Sequence, residues 1–295
     1  MNIGITLKPH AYTPEAFAYK KYLENFGHKI DLNFANELDC NNDINIYFMG
    51  VRAFWGKGNS TAAEIHEYQS LSIPPFSNIK DLLKKTINKK PDGRIFLNSF
   101  VFNHMNFGDK IPYICRDMGV DIGLFQKPNE NPIFDIVYSG SIKGRVGLVE
   151  TLVNLSVKYK ILVIGEVEKE LQFLFSKNKI SMTGKVDREA LPSLYASARF
   201  GLNYTPDIFP FNFQTSTKTL EYLASGLGVI SNKYYWIESF ASEIGYKPIW
   251  LDDLLDDNNF CFNDNLIPNM EKYKWDNILT ESNFNAFLLN ILNNK

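Results

Sequence analysis

Two short stretches in the second half of the chain hold residues suited to an anion. In the first, Ser139, Gly140 and Ser141 close an apolar run, and Gly144 and Arg145 lead into a helical pattern. Small residues let a ligand approach the backbone, a helix start offers free N–H groups and a partial positive charge, and Arg145 adds a fixed cation. A diphosphate suits that set. So does a plain strand-to-helix turn with a surface arginine. In the second stretch, Thr215, Ser216 and Thr217 stand where a helix should begin, with Lys218 in its first turn and Glu221 three residues on. A cation at that end opposes the helix dipole and costs roughly a few tenths of a kcal/mol, which a bound anion would offset. A carboxylate at 221 could accept hydrogen bonds from ribose hydroxyls. A Ser/Thr cap followed by an ordinary Lys–Glu surface pair has the same spelling.

The elements around these stretches must bring them together. Strand-like and helix-like segments alternate along the whole chain, the pattern of a doubly wound parallel α/β sheet. In the first half, strands are expected at 2–7, 28–34, 44–50 and 94–100, with a strand opening 63–72. Helices are expected near 15–26 and at 79–90, where Leu82, Leu83 and Ile87 share one face. The stretch 123–135, with two prolines, reads as a linker. A second series follows: strands at 135–141, 160–166, 179–185, 199–204 and 228–232, and helices at 146–159, 169–178, 188–198 and 217–226. Ligands of such sheets bind at the carboxyl ends of strands, where both anion-suited stretches lie.

Composition narrows the function classes. The 295 residues are 45% hydrophobic and 22% charged with a net charge of -2, which excludes bulk disorder and a generally basic nucleic-acid binder. Cys40, Cys115 and Cys261 are few, scattered and odd in number, unlike a disulfide scaffold or a structural zinc site. The N-terminus lacks a signal-peptide pattern, and no apolar run approaches membrane-spanning length. A cytoplasmic protein is expected, with a peripheral contact at the inner face of a membrane as a further expectation.

The run from DIVYSGS to GVISN resembles the C-terminal, nucleotide-sugar-binding domain of GT-B glycosyltransferases of the retaining family-four (glycosyl transferases group 1) type. The pieces carrying the resemblance are YSGSIKGRVGL, ILVIGE, ISMTGKVDREALPSLYASARFGLNY and FPFNFQTSTKTLEYLASGLGVISN. It implies an α/β, GT-B fold of two Rossmann-like β/α/β domains facing a central cleft. Residues 1–130 would form the acceptor-binding domain and 131–270 the donor-binding domain. The helix at 271–295 would pack back on the first domain, anchored by Trp275.

The implied activity is transfer of a hexose from a nucleoside-diphosphate sugar to a glycan or lipid-linked glycan, with retention, in cell-surface polysaccharide biosynthesis. Arg145 and Lys218 would neutralise the departing diphosphate. Gly140, Ser141 and the backbone at Thr215, Ser216 and Thr217 would face it. Glu221 would hold the ribose, and the backbone from Gly184 to Val186 would meet the base. His66 would be a catalytic histidine at a strand end near the transferred sugar, with a partly buried structural histidine as the alternative. Lys8 and His10, in the first strand–helix loop, would meet the acceptor. No cofactor and no metal is implied, because Arg and Lys supply the charge neutralisation. One position departs from the family pattern E-x7-E: Phe213 stands in place of the first glutamate, between Asn212 and Gln214.

Two rival readings stay open. An epimerase or phosphorylase on the same architecture would need paired carboxylates or a pyridoxal cofactor. A non-catalytic nucleotide- or sugar-binding module is kept open by the missing glutamate. Two charge clusters also have two readings each. Lys80, Lys84, Lys85, Lys89, Lys90 and Arg94 outnumber Asp81 and Asp92, and fit a solvated helix face or a contact with an acidic membrane surface or lipid diphosphate. Asp252, Asp253, Asp256 and Asp257 fit a solvated loop or a metal site.

Overall fold

A computed structural model describes residues 1–9, 13–55, 60–256 and 266–295. His10, Asp257 and Cys261 lie outside the described residues. The chain divides into two compact units, Met1–Gly119 with Tyr273–Lys295, and Val120–Lys272.

The first unit runs β1 (Asn2–Leu7), α1 (Pro14–Glu24), β2 (Lys29–Phe34), β3 (Ile44–Phe48), β4 (Ala63–Tyr68), α2 (Ser77–Ile87), β5 (Gly93–Phe96), α3 (Ser99–Met105) and β6 (Tyr113–Cys115). Its six strands are all parallel in the order β2-β1-β3-β4-β5-β6. β4 is buried at every residue although Glu64, His66 and Glu67 are polar or charged, so each of these must find its partner inside the unit.

The second unit runs β7 (Phe134–Ser139), α4 (Leu148–Ser156), β8 (Ile161–Ile164), α5 (Lys169–Lys177), β9 (Ser181–Met182), α6 (Leu191–Ala196), β10 (Ala198–Asn203), α7 (Thr217–Ala224), β11 (Gly228–Ser231), α8 (Tyr235–Glu243), β12 (Ile249–Trp250) and α9 (Leu251–Asp256). Its six strands are parallel in the order β12-β11-β10-β7-β8-β9. Its core joins Ile136, Val163 and Leu202 of the sheet to Leu148, Leu152 and Leu155 along one stripe of α4.

Strand order reverses direction once in each sheet, between β1 and β3 and between β7 and β10. These switch points open a crevice at the strands' carboxyl ends.

The C-terminal segment is two helices, α10 (Trp275–Glu281) and α11 (Phe284–Asn293), parted at Asn283, whose φ of 54° no helix continues. Trp275 sits edge-on to Tyr19 of α1 at 6.2 Å and under the Arg116 guanidinium at 5.3 Å. Arg116 in turn pairs with Glu67 of β4 in full burial, and the Tyr19 hydroxyl donates to Glu67 Oε2 at 2.8 Å. A buried charge persists only when paired and hydrogen-bonded, and here both conditions hold.

Two expectations are corrected. The stretch 123–135 does not divide the units: Val120 and Leu124 are buried in the second, and Ser225 Oγ donates to the Leu124 carbonyl at 2.9 Å. The acidic residues Asp252, Asp253 and Asp256 lie on the helix α9, not in a loop. On α2, Leu82 and Leu83, expected on one face of the helix, are 59% and 46% exposed.

Candidate functional site

The second unit's cavity sits at its switch point. Tyr138 and Ser139 at the end of β7 form one wall and Leu202 and Asn203 at the end of β10 another. Its volume is about 460 Å³, in the range of small-molecule sites. The two anion-suited stretches of the sequence close it: Ser141, Gly144 and Arg145 from the loop after β7, and Thr215, Ser216, Thr217 and Lys218 from the start of α7.

Each side chain is held by a local device. The loop before α4 turns through Gly144 and Gly147, both at positive φ. A Cβ on Gly147 would lie 2.3 Å from the Tyr204 hydroxyl, which donates to the Val146 carbonyl at 3.0 Å. Only glycine satisfies both the φ of 87° and this approach. Arg145 donates from Nη1 to the Tyr204 carbonyl, which tethers the guanidinium to the end of β10.

Ser216 caps α7 by accepting from the Thr219 N–H at 3.2 Å. Its hydroxyl donates to Asn203 Oδ1 at 2.8 Å, and Asn203 Nδ2 donates to both the Ser231 and Tyr234 hydroxyls at 2.9 Å. The Thr217 and Lys218 N–H groups belong to the first turn, which has no intrahelical acceptors. They supply the partial positive charge of the helix start.

Lys218 Nζ lies 2.7 Å from Glu221 Oε2. Arg188 Nη2 donates to Glu221 Oε1 at 3.2 Å and the Tyr195 hydroxyl to Oε2 at 3.1 Å. Burial pushes the Glu221 carboxyl up, but Lys218 and Arg188 outweigh it, so it stays below the ordinary carboxylate range. At 1% exposure, with both oxygens engaged, Glu221 does not face the cavity. The carboxylate expected to meet the ribose is thus buried beneath the wall, where Lys218 links it to the cavity.

Burial also raises the Tyr138 hydroxyl's pKa, against the opposing pull of the Arg145 and Lys218 charges. Among the described residues lining this cavity there is no Asp, Glu or His.

Gly140 lies beside the cavity. Gly140 N–H donates to the Ile164 carbonyl, and Gly165 N–H to the Gly184 carbonyl, so the ends of β7, β8 and β9 come together at glycines. Val186 is half-buried just past Gly184 and outside the cavity wall. Phe213 packs on Tyr235 at 4.3 Å between ring centroids, so an aromatic contact occupies the departed glutamate position.

His66 is corrected. It lies inside β4, not at a strand end, and is fully buried between the rings of Tyr47 and Tyr68. Its Nε2 is 2.9 Å from Glu64 Oε1, and its Nδ1 is buried without a partner among the described residues. Burial lowers its pKa against the opposing pull of Glu64. Full burial matches the alternative reading of a structural histidine.

Lys8 lies at a second cavity, also about 460 Å³, at the β1/β3 switch point of the first unit. Arg52 and Lys89 share its wall with Tyr47, Phe48 and Phe54. Lys8 Nζ donates to Gln69 Oε1 at 2.5 Å, and Arg52 and Lys89 both pair with Glu64 behind the wall.

Sequence reasoning missed Arg188, Tyr195, Asn203, Ser231 and Tyr234. Buried polar residues at strand ends were the available signal: Asn203 and Ser231 each interrupt an apolar strand at its last position.

Comparison with solved structures decides the fold. AviGT4, a glycosyltransferase involved in avilamycin A biosynthesis, superposes with a TM-score of 0.60 over 100% of this chain and 98% of its own, at 10% identity. This chain has the GT-B fold. Alr3699/HepE of Anabaena, solved with UDP, matches at a TM-score of 0.58 over 99% of this chain and 97% of its own, at 12% identity. Its complex with UDP-glucose matches at 0.57 over 100% and 98%, at 11% identity. No family model and no curated protein sequence matches the chain. The GT-B fold accounts for the two doubly wound units.

Proposed function

We propose that the chain is a glycosyltransferase that transfers a sugar from a nucleoside-diphosphate donor to a glycan or lipid-linked glycan. The observation that carries this reading is the meeting of Arg145, Lys218 and the first turn of α7 around one cavity. Three sources of positive charge there suit a diphosphate, whose negative charge grows as the bond from the anomeric carbon to its oxygen breaks. The electron pair of that bond stays on the diphosphate oxygen, the acceptor hydroxyl oxygen bonds to the sugar carbon, and the hydroxyl proton passes to the departing diphosphate oxygen. Arg145 and Lys218 act by charge neutralisation, not by proton transfer. Ser216, with Asn203 behind it, and Glu221 act as positioning residues that fix the helix start and the lysine. HepE's complexes with UDP and UDP-glucose support a uridine nucleotide as the first donor to try.

The acceptor belongs at the cavity of the first unit. Lys8, Arg52 and Lys89 face it with only Glu64 as nearby neutralising carboxylate among their described partners. An acceptor bearing phosphate or carboxylate groups fits that excess of positive charge. Retention of configuration, the family-four relationship and a role in cell-surface polysaccharide synthesis rest on the sequence resemblance.

A non-catalytic binding module is the second reading, favoured by the Phe213–Tyr235 contact where a carboxylate would stand. The deciding experiment measures UDP release from UDP-glucose and related donors, with a membrane extract as source of acceptors. The enzyme reading expects release that depends on the extract and is lost in Arg145→Ala and Lys218→Ala. Nucleotide binding without release under any donor and extract would establish the binding module instead.

A further inference from the structure

The helix α2 is built inside out. A surface helix normally buries its apolar stripe and shows its polar one. Along α2 the residues turned toward the unit are Asp81 and Lys84, each 16% exposed, paired with one another at 3.4 Å. Asp81 also accepts from the Ser72 N–H at 3.1 Å. Ile79, Leu82 and Leu83, which the 3.6-residue repeat places on the opposite face, are 56%, 59% and 46% exposed. No residue of this helix is buried.

The apolar surface continues past both ends. Before the helix stand Ile73 and Phe76, the latter 72% exposed and in the left-handed region at φ 64°. A bulky residue there is held against its own preference. At the other end the Phe54 N–H donates to the Ile87 carbonyl at 2.9 Å, which sets Phe54 and Trp55, both 64% exposed, beside the helix terminus. Scattered exposed apolar residues need no explanation, but a contiguous patch marks an interaction site.

Charge identifies the partner. Lys80 and Lys90 are exposed and Lys85 is half-buried along this segment, while Lys84 is turned inward against Asp81, its one helical acid, and Lys89 pairs with Glu64. An apolar face carrying aromatic residues and rimmed by lysines is the make-up of a helix lying in the headgroup region of an anionic bilayer. Lysine stems can lie along apolar surface while their ammonium groups reach lipid phosphates. Among the described residues no helix is long and apolar enough to cross a membrane.

We propose that α2, with Phe76, Phe54 and Trp55, is a peripheral docking surface for anionic lipid bilayers. This goes beyond the transferase reading and stands or falls without it.

The test is co-sedimentation of the full chain with vesicles of phosphatidylcholine alone and of phosphatidylcholine with phosphatidylglycerol. Two variants accompany the wild type: Ile79→Ser/Leu82→Ser/Leu83→Ser, and Lys80→Glu/Lys90→Glu. None of these side chains is buried, so the melting temperature of each variant serves as its folding control. The wild type should bind the anionic vesicles, and each variant should bind them about tenfold or more weakly. Binding to the neutral vesicles should be weaker than to the anionic ones. No binding of the wild type to anionic vesicles overturns the proposal. So does wild-type self-association that the serine variant abolishes in the absence of vesicle binding, since the face would then serve a second copy of this chain.

Discussion

Lys218 and Glu221 lie one turn apart on α7, with Nζ 2.7 Å from Oε2, the lysine at the cavity wall and the carboxylate buried beneath it. The buried acid holds the cation where the helix dipole alone would repel it. Glu221→Ala should therefore cost about 1–3 kcal/mol of stability by leaving the Tyr195 hydroxyl and two cations without their acceptor. It should also weaken nucleotide binding, because Lys218 loses its anchor. Lys218→Ala should weaken binding at smaller cost to stability, since Arg188 and Tyr195 still satisfy Glu221. Urea unfolding and nucleotide titration of both variants check this. Equal effects of the two on stability would contradict it.

Ser216 has two duties, as cap of α7 and as donor to Asn203. Ser216→Ala should cost about 1 kcal/mol, the usual value of a lost N-cap. Asn203→Ala should cost more, because the Ser216, Ser231 and Tyr234 hydroxyls all lose a buried partner. Calorimetric melting of the two variants gives the ordering, and a reversed order would show that the network does not hold the helix start.

His66 predicts a particular pH dependence. Its folded pKa is lowered by burial, so the unfolded chain takes up a proton before the folded one does as pH falls below about 6.5. Stability from this residue is present above that pH and is lost as pH falls toward the folded value. Glu64 and Glu221 are also lowered, so their contributions are lost further down, below about 4.3. His66→Gln should flatten the loss of stability between pH 7 and pH 5 and leave the steeper loss at lower pH. Urea midpoints across that range measure it; an unchanged slope in the variant would refute the assignment.

Glu67 and Arg116 are both fully buried, and their pair links β4 to the end of β6 under Trp275. Glu67→Gln leaves the guanidinium charge without a counter-ion and should cost about 3–5 kcal/mol. Arg116→Met combined with Glu67→Leu should cost less than the sum of the single changes. Chemical unfolding of the three variants tests the coupling, and additive costs would disprove it.

The alternation of strands and helices was legible because covered parallel strands are apolar runs and their helices keep a 3.6-residue stripe. The chemistry after β7 and at the start of α7 was legible for a local reason: glycines, caps and a first-turn cation declare a ligand-ready helix end within a few residues. Long-range burial was not. His66 follows an apolar lead-in either at a strand's end or within it, and only the pairing of β4 with β3 and β5 places it inside. The stripe of α2 was legible, but periodicity fixes which residues share a face and not which way the face points. Arg188 and Tyr195 meet Glu221 from α6 and the turn before it, a contact no local spacing encodes. The boundary at Gly119 carries no Pro or Gly-rich signature, whereas 123–135 does and is nonetheless packed.

In the proposed function, Arg145, Lys218 and the start of α7 bind a nucleoside diphosphate. A thermal-shift panel of UDP, GDP, dTDP, CMP and ADP on the wild type and Lys218→Ala tests it most directly. A ligand at 100 times its dissociation constant stabilises by about 2.7 kcal/mol. The expected result is a clear rise in melting temperature with one diphosphate, most of it lost in Lys218→Ala. No shift with any nucleotide, or the same shift in both proteins, would contradict the claim.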